Sequence, residues 1–166
     1  MNWIDELFFS YNDVDPGLRS KVKGASLEKI KHLENQCNLE MPIEYKEYLQ
    51  HFGINGGGLF EGLIANITIS AAIEAYDEII EENKFDGEDY IPDEFLAEWI
   101  FIGYGYAGTS LILHSETGVI YTSDFGDVGS YFASDIVTLV RQEAFLKYRI
   151  LWAENQTAYD GLSSDL

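Results

Sequence analysis

The chain has 166 residues, enough for one domain with a sizeable core and too few for two ordinary ones. Hydrophobic residues make up 46% and aromatic residues 14%, which excludes wholesale disorder. Lys and Arg number 10 against 29 Asp and Glu, and the resulting net charge of −19 excludes binding to nucleic acid or to an anionic membrane, both polyanions. The single cysteine, Cys37, supports neither an internal disulfide nor a zinc cluster.

Met1-Asn2-Trp3-Ile4-Asp5-Glu6 lacks the basic region and small-residue cleavage site of an export signal. The most apolar stretch, Leu63 to Ala75, is broken by Asn66, Thr68, Ser70 and Glu74, so no membrane span is expected. These features predict a cytoplasmic protein.

Residues 2–10 form a short amphipathic helix with Trp3, Ile4, Leu7 and Phe8 on one side, followed by a turn at Asn12 to Gly17. Ser26 caps a second helix whose stripe is Leu27, Ile30, Leu33 and Cys37. Cys37 is then a core residue and not a reactive thiol. Pro42 suits the first turn of a third helix carrying Tyr45, Tyr48, Leu49 and Phe52, which Gly53 terminates in the C′ role. Asn55-Gly56-Gly57-Gly58 reads as an irregular loop, and Leu59 to Ile69 as extended chain anchored by Ile64, Ile67 and Ile69.

Ser70 is a candidate cap for a helix that turns Ile73, Tyr76, Ile79 and Ile80 inward, with Glu82 to Glu88 as a mobile acidic loop beyond it. Trp99 to Ile102 reads as a buried strand. Thr109 to His114 and Val119 to Ser123 read as a hairpin. Tyr121 to Phe132 reads as a Gly-rich loop that interleaves aromatics and carboxylates. Ser134 caps a last helix with Ile136, Val137, Val140, Ala144, Phe145 and Tyr148 on its apolar side, and residues 154–166 form a frayed acidic tail. The order predicts one α+β domain over residues 1–166, a mainly antiparallel sheet packed with several helices.

Charge is unevenly spread. Arg19, Lys21, Lys23, Lys29 and Lys31 crowd the first third, and from residue 51 to residue 140 Lys84 is the only Lys or Arg. Chemistry finds few footholds. Gly103-Tyr104-Gly105-Tyr106-Ala107-Gly108 matches a dinucleotide fingerprint literally, but the residues after it read as a strand where the motif needs a helix, so we read a glycine-rich turn. His32, His51 and His114 lack metal-ligand spacing, and the acidic stretch at Asp86-Gly87-Glu88-Asp89 places Lys84 where an EF-hand needs a carboxylate. Ser110, His114 and Asp124 lack a nucleophile elbow. Paired carboxylates beside aromatics leave a carbohydrate-active enzyme as an alternative, although any acidic protein offers such pairs. No catalytic residue, cofactor or metal is expected.

The stretch Ser26-x-x-x-Ile30-x-x-Leu33-Glu34-x-x-x-x-Leu39-x-x-Pro42-x-x-Tyr45-Lys46-x-Tyr48-Leu49, followed by Asn55-Gly56-Gly57, resembles the opening signature of the SUKH superfamily. These are relatives of the yeast cell-wall-synthesis regulators, abundant in bacteria as toxin-immunity proteins. Met41 stands before Pro42 where the family prefers leucine. Trp99 to Gly103 with Gly108, Gly118-x-Ile120-Tyr121 and Ser134-Asp135-Ile136 resemble its later blocks, so the likeness covers roughly residues 26–140.

The resemblance implies an α+β fold and a non-catalytic role: binding and occluding a cognate protein toxin, often a nuclease. Gly56 and Gly57 would then serve the backbone, and Tyr45, Leu49 and Trp99 the core. The charge fits independently, because a nuclease is basic where it holds its substrate. Expected contacts are Glu82, Asp86, Glu88, Asp89, Asp93 and Glu94 on an acidic side, with Tyr104, Tyr106, Asp124 and Asp127 on loops. A regulatory scaffold of the same fold is the other reading.

Overall fold

The computed structural model describes residues 2–59, 65–83, 91–105, 108–124 and 127–163, with backbone alone at 65, 82 and 155–163. Asn2 caps α1 (Trp3–Tyr11) by accepting the Asp5 N–H. A single turn, α2 (Leu18–Lys21), leads into β1 (Val22–Lys23). Ser26 caps α3 (Leu27–Cys37) through the Lys29 N–H, as its sequence position predicts. Pro42 stands at the N-cap of α4 (Ile43–Phe52), one residue ahead of the first turn. Gly53 ends α4 in the right-handed region (φ −62°), so it does not act as a left-handed terminator.

The Asn-Gly-Gly segment is not wholly irregular. Asn55–Gly56 form β2, antiparallel to β1, with Val22 opposite Gly56 and Lys23 opposite Asn55. At Gly24 the chain passes so close to α4 that a Cβ would lie 1.6 Å from the Gln50 carbonyl oxygen. The approach is held by the Ala25 N–H donating to the Leu49 carbonyl at 2.8 Å.

The remaining elements are β3 (Ala65–Asn66), α5 (Ile69–Glu82), α6 (Asp93–Leu96), β4 (Trp99–Gly105), β5 (Ser110–His114), β6 (Ile120–Asp124), β7 (Asp127–Ala133) and α7 (Ile136–Ser163). Among the described residues β3 to β7 form one five-stranded antiparallel sheet in chain order. The fold is α+β with a mainly antiparallel sheet, as the element order predicts.

Several local expectations shift. Thr68, not Ser70, caps α5 by accepting the Ala71 N–H, so Ile69 opens a helix and does not close a strand. Asp135, not Ser134, holds the first turn of α7: its Oδ1 accepts the Thr138 N–H at 2.6 Å while Ser134 Oγ donates to its Oδ2. Partial burial pushes the Asp135 carboxyl up, but the hydrogen bonds from Thr138, Ser134 and Val137 outweigh it and bring it below the ordinary value. Of the stretch Tyr121 to Phe132, read as loop, the described residues pair as the antiparallel strands β6 and β7, and Phe125 and Gly126 lie outside the described residues. α7 continues through Ser163 where a frayed tail was the expectation. Ile64 and residues 84–90 of the acidic stretch lie outside the described residues.

The apolar stripes are narrower than their spacing implies. Leu27, Ile80 and Phe145 are exposed at 71%, 44% and 61%. Ile80 and Phe145 each follow a buried residue, Ile79 and Ala144, and so point about 100° further round the helix. Cys37 is buried as predicted, and burial pushes its thiol up, away from the reactive thiolate.

Strand register sorts the sheet into two faces. Ile100 pairs with Leu113, Leu113 with Ile120 and Ile120 with Ala133, all essentially inaccessible, and these side chains share the face that fills the core. Around this core sit Tyr45, Tyr48 and Phe52 of α4, in successive ring contacts of 6.3 Å and 5.7 Å.

The outer edge of β4 has two partners in turn. β3 pairs with Tyr104 and Gly105. Nearer the start of β4 the Tyr76 hydroxyl takes over, accepting the Phe101 N–H at 3.3 Å and facing the Trp99 carbonyl at 3.4 Å. Gly103 between them has φ +141°, and a Cβ there would lie 2.1 Å from the Asn66 carbonyl oxygen. Glycine is what lets β4 bulge against β3.

Tyr76→Phe should cost about 1–2 kcal/mol in urea unfolding, because it strips a buried backbone N–H of its partner. Tyr45→Phe should cost almost nothing, since the Tyr45 hydroxyl is buried without a hydrogen-bond partner among the described residues.

Burial also raises Tyr11, Tyr45, Tyr48 and Tyr76 above their ordinary value of 10.0. The unfolded chain therefore loses these protons first as pH rises. Their contribution to stability is intact below pH 10 and is lost above it. Tyrosinate absorbance should show these four titrating only together with unfolding.

Candidate protein-binding surface

The second face of the sheet is aromatic. Phe101 pairs with Ile112, Ile112 with Tyr121 and Tyr121 with Tyr131, while Trp99 pairs with His114. Trp99 reaches over β5 to meet Tyr121 edge-on at 5.6 Å, and Tyr121 meets Tyr131 edge-on at 5.9 Å. Burial falls steadily toward β7. Phe101 and Ile112 are buried and Tyr121 half-buried, whereas Tyr131 is 60% and Val128 44% exposed.

β7 is the last strand of the sheet, and among the described residues its backbone bonds only to β6. Side chains from Asp127 to Tyr131 are exposed on both faces of the strand. An unpaired edge carrying exposed aromatic and aliphatic groups is a surface another chain can use.

The sequence-derived contacts fall at two ends of the sheet. Tyr104 lies in β4 and not on a loop, directly across from Ser110, which pairs with Ser123. Asp124 and Asp127 face each other across the next rung and close the β6–β7 hairpin. Tyr104, Asp124 and Asp127 thus share one end.

Asp93 and Glu94 open α6 and lead into Trp99, at the opposite end of β4, about 20 Å away for a strand of 7 residues. Glu82 closes α5. Asp86, Glu88, Asp89 and Tyr106 lie outside the described residues. Tyr131 belongs to the stretch of interleaved aromatics and carboxylates that the sequence marks, whereas Val128 carries no sequence signal of its own.

The cations sit elsewhere. The ion pairs Arg19–Asp5, Lys21–Asp15, Lys46–Glu34 and Arg141–Glu6 lie in the helical half. Asp93, Glu94, Asp124 and Asp127 are exposed and have no ion-pair partner among the described residues. Tyr104 is half-buried with its hydroxyl 3.4 Å from Glu78. Burial and then the Glu78 charge push it above its ordinary value, so it stays a neutral donor.

Other chemistries lack geometry here. Ser110 and His114 stand at opposite ends of β5. His114 Nδ1 accepts the N–H groups of Glu116 and Thr117, which ties the ring to its own turn. The Gly105 N–H bonds the Thr109 carbonyl, and the described residues that follow the glycine fingerprint form β5 where a dinucleotide site needs a helix N-terminus. Among the described residues no cluster of three or more His, Cys, Asp or Glu could hold a metal, and no helix is long and apolar enough to cross a membrane.

The SMI1/KNR4 family description (SUKH-1) matches residues 24–142, most of the chain. The chain belongs to the SUKH-1 family. The match covers the helix-and-turn signature around α3 and α4, the whole sheet and the start of α7, as the sequence resemblance implies. This family includes toxin-immunity proteins and regulators, is generally non-catalytic, and its members commonly bind partner toxins. No curated protein matches the chain.

Tyr131→Ser should cost no more than about 1 kcal/mol of unfolding stability, the scale of one exposed cross-strand aromatic pair. Trp99→Ala should cost about 3 kcal/mol, since its ring joins Phe95, His114 and Tyr121. Paired urea denaturation curves would separate a ring kept for contact from one kept for packing.

Proposed function

We propose that this SUKH-1 chain is an immunity protein that binds a basic cognate toxin in the cytoplasm and occludes it without catalysis. The observation that carries this reading is the exposed β6–β7 edge, where Val128 and Tyr131 stand beside the unneutralised carboxylates Asp124 and Asp127. Aromatic and aliphatic groups supply contact area, and the carboxylates steer a cation-rich partner into place. A nuclease is the toxin class this chemistry suits, because the cations that hold its phosphate backbone are those an acidic inhibitor would cover. Tyr104, at the same end of the sheet, extends the surface. Asp93 and Glu94, together with Glu82, Asp86, Glu88 and Asp89, contribute to the field that speeds encounter, and Tyr106 adds a neutral aromatic contact.

The test is to express the neighbouring reading frame alone and together with this chain. Growth arrest that the chain relieves, with a complex on size exclusion, supports the reading. A harmless neighbour, or arrest that persists, points instead to a regulatory scaffold. Within a confirmed complex, reversing Asp124 and Asp127 to lysine should slow association at least about 10-fold at low salt and much less at high salt. An unchanged rate at low salt would remove these residues from the interface.

A further inference from the structure

α7 carries a second exposed surface, bordered by Glu6 of α1 and by Glu154 but with no exposed acid between them on the helix itself. Its inner side is formed by Ile136, Leu139, Val140 and Ala144, all buried, with Tyr148 and Leu151 packed against the core. Phe145, Leu146, Ile150 and Trp152 project on the other side, exposed at 61%, 39%, 43% and 53%. They leave roughly 400 Å2 of apolar surface in water, as large as the greatest patch on many monomers. From Ile136 to Ala153 the only acid is Glu143, which is buried, while Arg141 and Arg149 are exposed.

The spacing of these residues is self-complementary. Phe145 and Trp152 on one hand, and Leu146 and Ile150 on the other, are centred on nearly the same place, Tyr148 to Arg149. A two-fold axis there would lay α7 antiparallel on its copy, with Phe145 against Trp152 of the second copy and Leu146 against Ile150. A standard interface takes about 800 Å2 from each partner, with apolar atoms somewhat over half. The α7 patch supplies that apolar share, and the polar stems beside it supply the rest. Two molecules of net charge −19 repel each other over most of their surfaces, and the repulsion is weakest at the outer face of α7, where Arg141 pairs with Glu6 and the exposed Arg149 stands among apolar groups. We infer that the chain forms a two-fold dimer through the outer face of α7, centred near Arg149.

Sedimentation equilibrium at micromolar concentration tests this. The full chain should behave as a dimer. Ile150→Glu should raise the dissociation constant about 30-fold or more while leaving the melting temperature of the monomer unchanged. Arg149→Cys, lying close to the axis, should cross-link into a covalent dimer under mild oxidation, with buried Cys37 a spectator. A wild-type chain that remains monomeric, or a dimer that Ile150→Glu leaves intact, would overturn the proposal. A dimer in which Arg149→Cys fails to cross-link would overturn the antiparallel register.

Discussion

The Tyr76 hydroxyl holds β4 where a neighbouring strand would otherwise be needed. It sits on α5 and reaches sideways to the backbone of Trp99 and Phe101. That contact fixes α5 beside the sheet and leaves β3 to cover only the far end of β4. With β4 bound in this way, the long unpaired run of strand backbone among the described residues is that of β7. The aromatic face inherits its gradient from the same arrangement, closed near α5 and α6 and open toward Tyr131.

Charge follows the architecture. The helical half offsets part of its acidic charge through pairs that are mostly solvent-exposed and individually worth little. The sheet half carries acids without counterions, so it projects a negative field from a rigid platform. Backbone already fixed in a strand ladder loses little ordering entropy when another chain contacts it. The same acids protect the molecule when it is alone: Asp124 and Asp127 at the β6–β7 turn discourage another copy from adding itself to the open edge.

The helical half was legible because its periodicity is strong. In α4 the buried rings fall three and four residues apart, and Ser26 announces α3 with its own side chain. The caps of α5 and α7 were misplaced by one or two residues because Thr68 and Ser70, or Ser134 and Asp135, are equally competent acceptors in sequence. Only the fold decides which of them faces the free N–H. β7 left no trace, because alternation requires one buried face and Asp127 to Tyr131 have none. Its glycine and serine then read as loop. Tyr104 was assigned to a loop for a related reason: Gly103 and Gly105 look like a turn in sequence, whereas one serves a bulge inside a strand. The site was therefore legible in its chemistry, acids beside aromatics, but not in its geometry.

The three tryptophans occupy three separate environments. Trp3 donates its indole N–H to Glu47 and lies near Phe52 in the helical core. Trp99 is half-buried among His114 and Tyr121 on the sheet, and Trp152 stands in solvent on α7. Their emission is accordingly resolvable by colour and quenching, red-shifted and open to iodide at Trp152, bluer and partly shielded at Trp3 and Trp99. Single-tryptophan versions of the chain would give each half of the molecule, and its outer helix, a native optical reporter without any attached dye.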